Sequence, residues 1–208
     1  MRLTATPRTA WCWGAALALL LLAGCAAPAP PSESARLCLA RLDRAGIVWK
    51  PAAVPVGHGG CAVDNPVEVS AAGIDWNQPG VVNCGFALAL EPFLREDVEP
   101  AARARFGQSV RLLRHFGTYA CRRESSGSGR WSQHAEGRAI DIAGFELTDG
   151  TVILVERDWR RRGPKRDFLR EVARRACRRF GVVLTPDSDA AHRNHIHIDD
   201  GPYKLCGL

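Results

Sequence analysis

Two stretches read with a period of two: RAIDIAGF, Arg138–Phe145, where Ile140 and Ile142 face one side and Ala139, Asp141 and Ala143 the other, and HIHID, His195–Asp199. A repeat of two is that of a β-strand with one buried face, and its register is strict, because a slip of one residue would turn every isoleucine to water. Ile140 and Ile142 therefore share a core face, as do Ile196 and Ile198. Asp141, His195, His197 and Asp199 are sent to the opposite side. A half-buried carboxylate is costly unless it is paired, so Asp141 calls for a partner.

The histidines supply one. The chain has 6, and His134, His192, His195 and His197 lie in or beside the two alternating stretches. Histidine and aspartate together are ligands for zinc; three of them leave the open position a hydrolase needs, whereas four would close a structural site. His58, in a glycine-rich loop, and His115, on a basic strand, are assigned no role. None of the cysteines forms a CxxC pair, so a zinc ribbon is not expected.

Helical spacing appears in three other stretches. Leu37, Leu42 and Ala45 mark a short helix that stops at Gly46 and leads into a strand. CGFALALEPFLREDVEPAARARFG reads as a helix in which Pro92 and Pro100 start or kink turns. DFLREVARRACRRF is amphipathic, with Phe168, Val172, Ala176 and Phe180 on one side and its arginines on the other, ended by Gly181. QSVRLLRHFGTYACR reads as a strand, and Asp149-Gly150 as the turn of a hairpin. Together these predict an α+β fold: a small antiparallel sheet carrying the zinc site, with the Asp141 and His197 strands side by side and helices on the other face.

Only one main domain is expected of 208 residues. Residues 1–24 stand apart from it: Arg2 and Arg8 precede an apolar run of signal-peptide length. The run ends LLAGC, the pattern of a bacterial lipobox, which makes Cys25 the lipidated N-terminus and residues 25–35 a Pro-rich tether to a domain spanning 36–208. The expected location is the periplasmic side of the cell envelope, anchored by lipid, with Ala26 after the cysteine pointing to the outer membrane. Of 8 cysteines, Cys12 leaves with the signal and Cys25 takes the lipid; Cys38, Cys61, Cys84, Cys121, Cys177 and Cys206 remain and are expected as disulfides in an exported chain. Six cysteines allow fifteen connectivities. A helix-turn-strand segment favours Cys38 with Cys61. The net charge of +6 is concentrated in RDWRRRGPKR and the helix after it. This reads as a solvated basic face, with an anionic envelope polymer or lipid headgroup as the alternative; nucleic acid is not expected for an exported, monomeric protein.

SQHAEGRAIDIAGF resembles the Ser-x-His-x-x-Gly-x-Ala-x-Asp motif of the zinc peptidases of the lysostaphin, D-Ala-D-Ala carboxypeptidase and Hedgehog group, and HRNHIHID resembles the His-x-x-His-x-His form seen in penicillin-insensitive murein endopeptidases. With YACR, AEGRAIDIAGFELTDG and ACRRFGVVL, the chain is similar to the bacterial extensin-like C-terminal domain family over residues 36 to 206. Gln133 departs from the family, which more often has an acidic residue there. The resemblance implies a Hedgehog/D-Ala-D-Ala-peptidase-like fold and zinc held by His134, Asp141 and His197. It places His192 and His195 as base and transition-state stabilisers beside the activated water, with Arg122, or Arg123 in its stead, facing the scissile carbonyl. Ser132 and Gly137 would shape the loop, and Asp199 would either hold the far nitrogen of a histidine or cap the end of its strand. The implied activity is hydrolysis of peptide bonds in peptidoglycan. The rival readings are a metal-stabilised cell-wall-binding module, which has no need of His192 and His195, and a disulfide-stapled structural protein without metal.

Overall fold

Ser32 opens the first helix, α1 (Glu33–Arg44), by accepting the Ala35 N–H on its hydroxyl at 3.2 Å. The computed structural model describes residues 32–54, 61–124 and 127–208; the expected signal peptide, Cys25, most of the expected tether and His58 lie outside the described residues. Leu42 is buried beneath α1, but Leu37, expected on the same face, is exposed. Five residues apart on a helix is roughly 140° of rotation, so the two leucines cannot face the core together.

Strands β1 (Val48–Pro51), β2 (Pro66–Ala71) and β3 (Asp75–Asn83) form an antiparallel meander. Asn83 then caps α2 (Cys84–Phe93), its Oδ1 accepting the Gly85 N–H at 2.7 Å and the Phe86 N–H at 3.3 Å. Pro92, expected at a turn, lies inside the last turn of α2. It removes one backbone donor there, and the helix continues through a wider π turn, Leu94–Val98, into α3 (Glu99–Phe106), with Pro100 in its first turn.

That long crossing returns the chain as β4 (Val110–Gly117), parallel to β3. The next strand, β5 (Ala139–Leu147), turns at Asp149-Gly150 into β6 (Val152–Leu154) as the sequence predicts. A single turn, α4 (Val155–Asp158), and the basic helix α5 (Pro164–Arg179) follow. The chain ends in β7 (Val182–Leu184), β8 (Ile196–Asp199) and β9 (Leu205–Gly207).

The nine strands make one sheet in the order β1-β2-β3-β4-β5-β8-β7-β9, with β6 also on β5. It is larger than the small antiparallel sheet expected, and it is mixed, because β3/β4 and β7/β9 run parallel. Both parallel pairs arise from connections longer than a hairpin, which periodicity alone does not reveal. The placement of helices is as expected. Ile140, Ile142, Ile196 and Ile198 share a buried cluster with Phe86, Leu90 and Phe93 of α2 and Phe168, Leu169 and Val172 of α5, leaving the other face of β5 and β8 for polar groups. Among the described residues no helix is long and apolar enough to cross a membrane.

All six domain cysteines are oxidised, as Cys38–Cys84, Cys61–Cys121 and Cys177–Cys206. The expected Cys38–Cys61 bridge is not formed. Cys38 points from α1 to the first residue of α2, the helix it packs against, while Cys61 meets the segment leaving β4. With Cys12 and Cys25 replaced by Ser, the denatured, unreduced chain should titrate no free thiol. Replacing Cys38 and Cys84 together should cost on the order of 2–4 kcal/mol, seen as a lower urea midpoint; an unchanged midpoint would count against a structural role for the bridge.

Candidate metal centre and active site

Asp141 of β5 pairs directly with His197 of β8, and Ile140 with Ile198 on the opposite face. Residues opposite in an antiparallel pair point to the same side, so the register itself sets carboxylate beside imidazole. His134 comes from elsewhere, the 3₁₀ turn Gln133–Glu136 that precedes β5. The Ser132 hydroxyl caps this turn by accepting the His134 N–H at 3.3 Å. Gly137 ends it at φ 65°, where a Cβ would lie 2.7 Å from Val63 and 2.8 Å from the Asn83 backbone nitrogen.

The three side chains converge. His134 Nε2 is 3.2 Å from Asp141 Oδ1, His197 Nδ1 is 3.0 Å from the same oxygen, and the two ring nitrogens are 3.1 Å apart. Their outer nitrogens are fixed by acceptors: His134 Nδ1 donates to the Thr118 carbonyl at 2.7 Å, and His197 Nε2 to Asp199 Oδ2 at 2.9 Å. Each neutral ring therefore turns a bare lone pair toward Asp141, whose oxygen is itself an acceptor. Three such lone pairs repel unless a cation sits among them. Burial pushes the His197 ring toward neutrality, yet Asp141 and Asp199 on either side lift its pKa to about 9. Burial raises the Asp141 carboxyl, but His134 and His197 outweigh it and hold the group well below the usual carboxylate range.

This donor set fits zinc. A tetrahedral ion ~2.0–2.2 Å from each ligand spaces them roughly 3.4 Å apart, a few tenths more than the separations seen. Two imidazole nitrogens and one carboxylate oxygen are also the open three-ligand chemistry of a catalytic site.

Two further imidazoles border the cluster. His195 Nε2 lies 3.4 Å from Asp141 Oδ1, while its Nδ1 donates to Asn194 Oδ1 at 2.9 Å. Burial pushes the His195 ring toward the neutral form, with Asp141 opposing. His192, from the 3₁₀ turn Ala190–His192, has its ring centre 5.1 Å from that of His195 and 5.9 Å from that of His197, and its Nδ1 donates to Asp189 Oδ1 at 2.7 Å. Arg122 sits in the segment leaving β4, its carbonyl accepting the Ser132 N–H at 3.1 Å. Among the described residues its exposed guanidinium has no hydrogen bond or ion pair. Arg123 is engaged elsewhere, stacked 3.6 Å over Trp131 and bonded to the Gly129 carbonyl at 2.7 Å. A cavity of about 520 Å³ opens beside the turn, lined by Asp64, Trp131, Glu136, Arg138 and Asp200, and none of the four clustered histidines or Asp141 lines it.

Sequence reasoning missed the Thr118 carbonyl, which leaves no side-chain signature, and Gly80, where a Cβ would come within 2.9 Å of the Thr118 side chain. It also missed Asp189, whose signal was its place three residues before His192.

Fold and site define an α+β protein in which His134, Asp141 and His197 come together at the polar face of the sheet in a group that could hold a metal ion. A family model described as the extensin-like protein C-terminus matches residues 36–207, and the chain belongs to that family. No curated protein and no solved structure matches.

Asp199→Asn should weaken zinc binding about 10–100-fold by loosening His197, measured by competition with a chelating dye; unchanged affinity would deny Asp199 this role. The metal-stripped protein should also respond to pH. The pKa of His197 rises from 6.5 to about 9 on folding, so its contribution to stability is complete below pH 6.5 and is lost as pH climbs through 9. Melting temperatures in chelator should fall across that window, and His197→Gln should flatten the fall.

Proposed function

We propose that this chain is a zinc-dependent hydrolase of peptide bonds in peptidoglycan, an endopeptidase or carboxypeptidase. In this reading it acts as a monomer on the periplasmic side of the cell envelope, held to the membrane by lipid on Cys25, and nucleic acid plays no part. One observation supports catalysis above all: His192 and His195 stand beside the three ligand-type side chains, although holding an ion does not require them.

His134, Asp141 and His197 would hold the ion, which supplies Lewis acidity and makes water a nucleophile near neutral pH. His195 is kept neutral by burial, and its Nδ1–H is taken up by Asn194, so Nε2 is left to accept a proton beside Asp141. His192, whose ring Asp189 orients, would steady or pass on that proton. Arg122 carries a cation that no internal partner neutralises among the described residues, suited to the negative charge that develops on a carbonyl oxygen under attack.

The test is incubation of the zinc-loaded chain with purified peptidoglycan, with and without chelator, followed by analysis of released fragments. His197→Ala should lose zinc and hydrolysis together. His195→Ala should keep its zinc and lose turnover by on the order of 10²–10⁴. Equal turnover in the His195 variant would remove it from the mechanism, and a zinc-loaded parent that cuts nothing would favour a binding module.

A further inference from the structure

Beside this centre an aromatic ring faces water without a structural reason. Phe116, near the end of β4, is 55% exposed, and its ring stands edge-on to that of His195, centres 6.1 Å apart at 81°. Single exposed apolar residues are ordinary, and Leu37, Val48 and Leu205 are others here. Phe116 differs in how it is held. The register of β4 against β5 shifts three times, between Val110 and Leu112, between Arg114 and His115 and between His115 and Gly117; Phe116 falls within the last of these, and Gly117 pairs with Asp141 itself. Such irregularities re-aim a side chain, and they are over-represented next to active sites.

This one is clamped at residue 115. Asn77 Oδ1 accepts the His115 N–H at 2.9 Å, while Asn77 Nδ2 and Gln78 Nε2 donate to the His115 carbonyl at 3.4 and 3.2 Å. The His115 ring donates from Nε2 to the Gln78 carbonyl at 2.9 Å and packs edge-on to Trp76 at 5.2 Å. Four hydrogen bonds and a ring contact thus fix the bulge from the β3 side. His115 is turned inward and Phe116 outward over His195. The core gains little from Phe116, so the fixed object is its exposed face.

The geometry points to Phe116 as a substrate-contacting residue that sets specificity, its ring receiving the apolar side chain of the peptide residue next to the bond that is cut. His115, Asn77 and Gln78 act through it as positioning residues. The inference rests on the proposed peptidoglycan hydrolysis and adds to it the place where the peptide lies.

The experiment measures zinc content, kcat and KM on solubilised peptidoglycan fragments, and co-sedimentation with intact peptidoglycan, for the full chain and its variants. Phe116→Ala should raise KM about tenfold, the scale of half a buried phenyl ring, with kcat within about threefold and zinc content unchanged. Phe116→Tyr should stay close to the parent. Asn77→Ala should raise KM in the same sense at unchanged zinc content, which a purely structural role would not do selectively. Leu37→Ala, an equally exposed apolar residue on α1, should change nothing. If the parent cuts and Phe116→Ala cuts with the same KM, the platform is refuted and the hydrolase reading stands. If the parent binds peptidoglycan but does not cut it, the hydrolase reading fails; weaker sedimentation of Phe116→Ala then sustains the platform, and equal sedimentation overturns it. A parent that neither cuts nor sediments overturns both.

Discussion

Residues directly opposite in an antiparallel pair point to the same face, so the pairing of Asp141 with His197 sets a carboxylate against an imidazole before any other part of the site is considered. The same register puts Ile140 against Ile198 and Ile142 against Ile196 in the core, which holds it with the whole hydrophobic free energy of that layer. A slip of one residue would bury the charged groups and expose the isoleucines together. Placement of the polar pair is therefore as secure as the core itself, and no special strain or contact is needed to keep it.

His134 has no such guarantee, since it arrives on a short turn, and the surrounding structure supplies the constraint instead. The Thr118 carbonyl fixes its ring, Ser132 caps its turn, and Gly137 lets the chain enter β5 against the start of α2, where the Gly137 carbonyl accepts the Asn83 N–H at 2.7 Å. Cys61–Cys121 ties the chain ahead of β2 to the segment that carries Arg122. Loops thus receive covalent and hydrogen-bonded restraints where the strands rely on packing, a division that suits functional groups placed on loops over a rigid sheet.

The parts of the molecule legible in the sequence are those governed by local periodicity. Period-two alternation located β5 and β8 and the face on which Asp141 and His197 meet; the helical repeat located α5; Asp149-Gly150 located the hairpin. What stayed hidden depends on partners distant in the chain. The parallel run of β3 and β4 follows from the path of α2 and α3 across the sheet, and Cys38 chose Cys84 because α1 lies on α2, neither of which spacing encodes. Leu37 was misplaced for a simpler reason, its five-residue offset from Leu42. Phe116 was invisible because a bulge breaks the alternation that would have assigned it a face.

The four imidazoles of the site share one design and differ in one respect. Each has an outer nitrogen donating to an acceptor, which leaves the other for chemistry, but the acceptors are unlike: a backbone carbonyl for His134, carboxylates for His197 and His192, and a neutral amide for His195. A carboxylate behind an imidazole makes it a stronger base and a firmer ligand, whereas an amide orients the ring without adding charge. His197 has Asp199 on its outer side and Asp141 on its inner side, and the two carboxylates raise its pKa against the effect of burial. His195 is half-buried and backed by the neutral Asn194 amide, and desolvation pushes its ring toward the neutral form. His195, just before β8, and His197, within it, are separated by a single residue and differ in what backs them, Asn194 for one and Asp199 for the other, a difference that suits the proposed division between reacting and holding an ion.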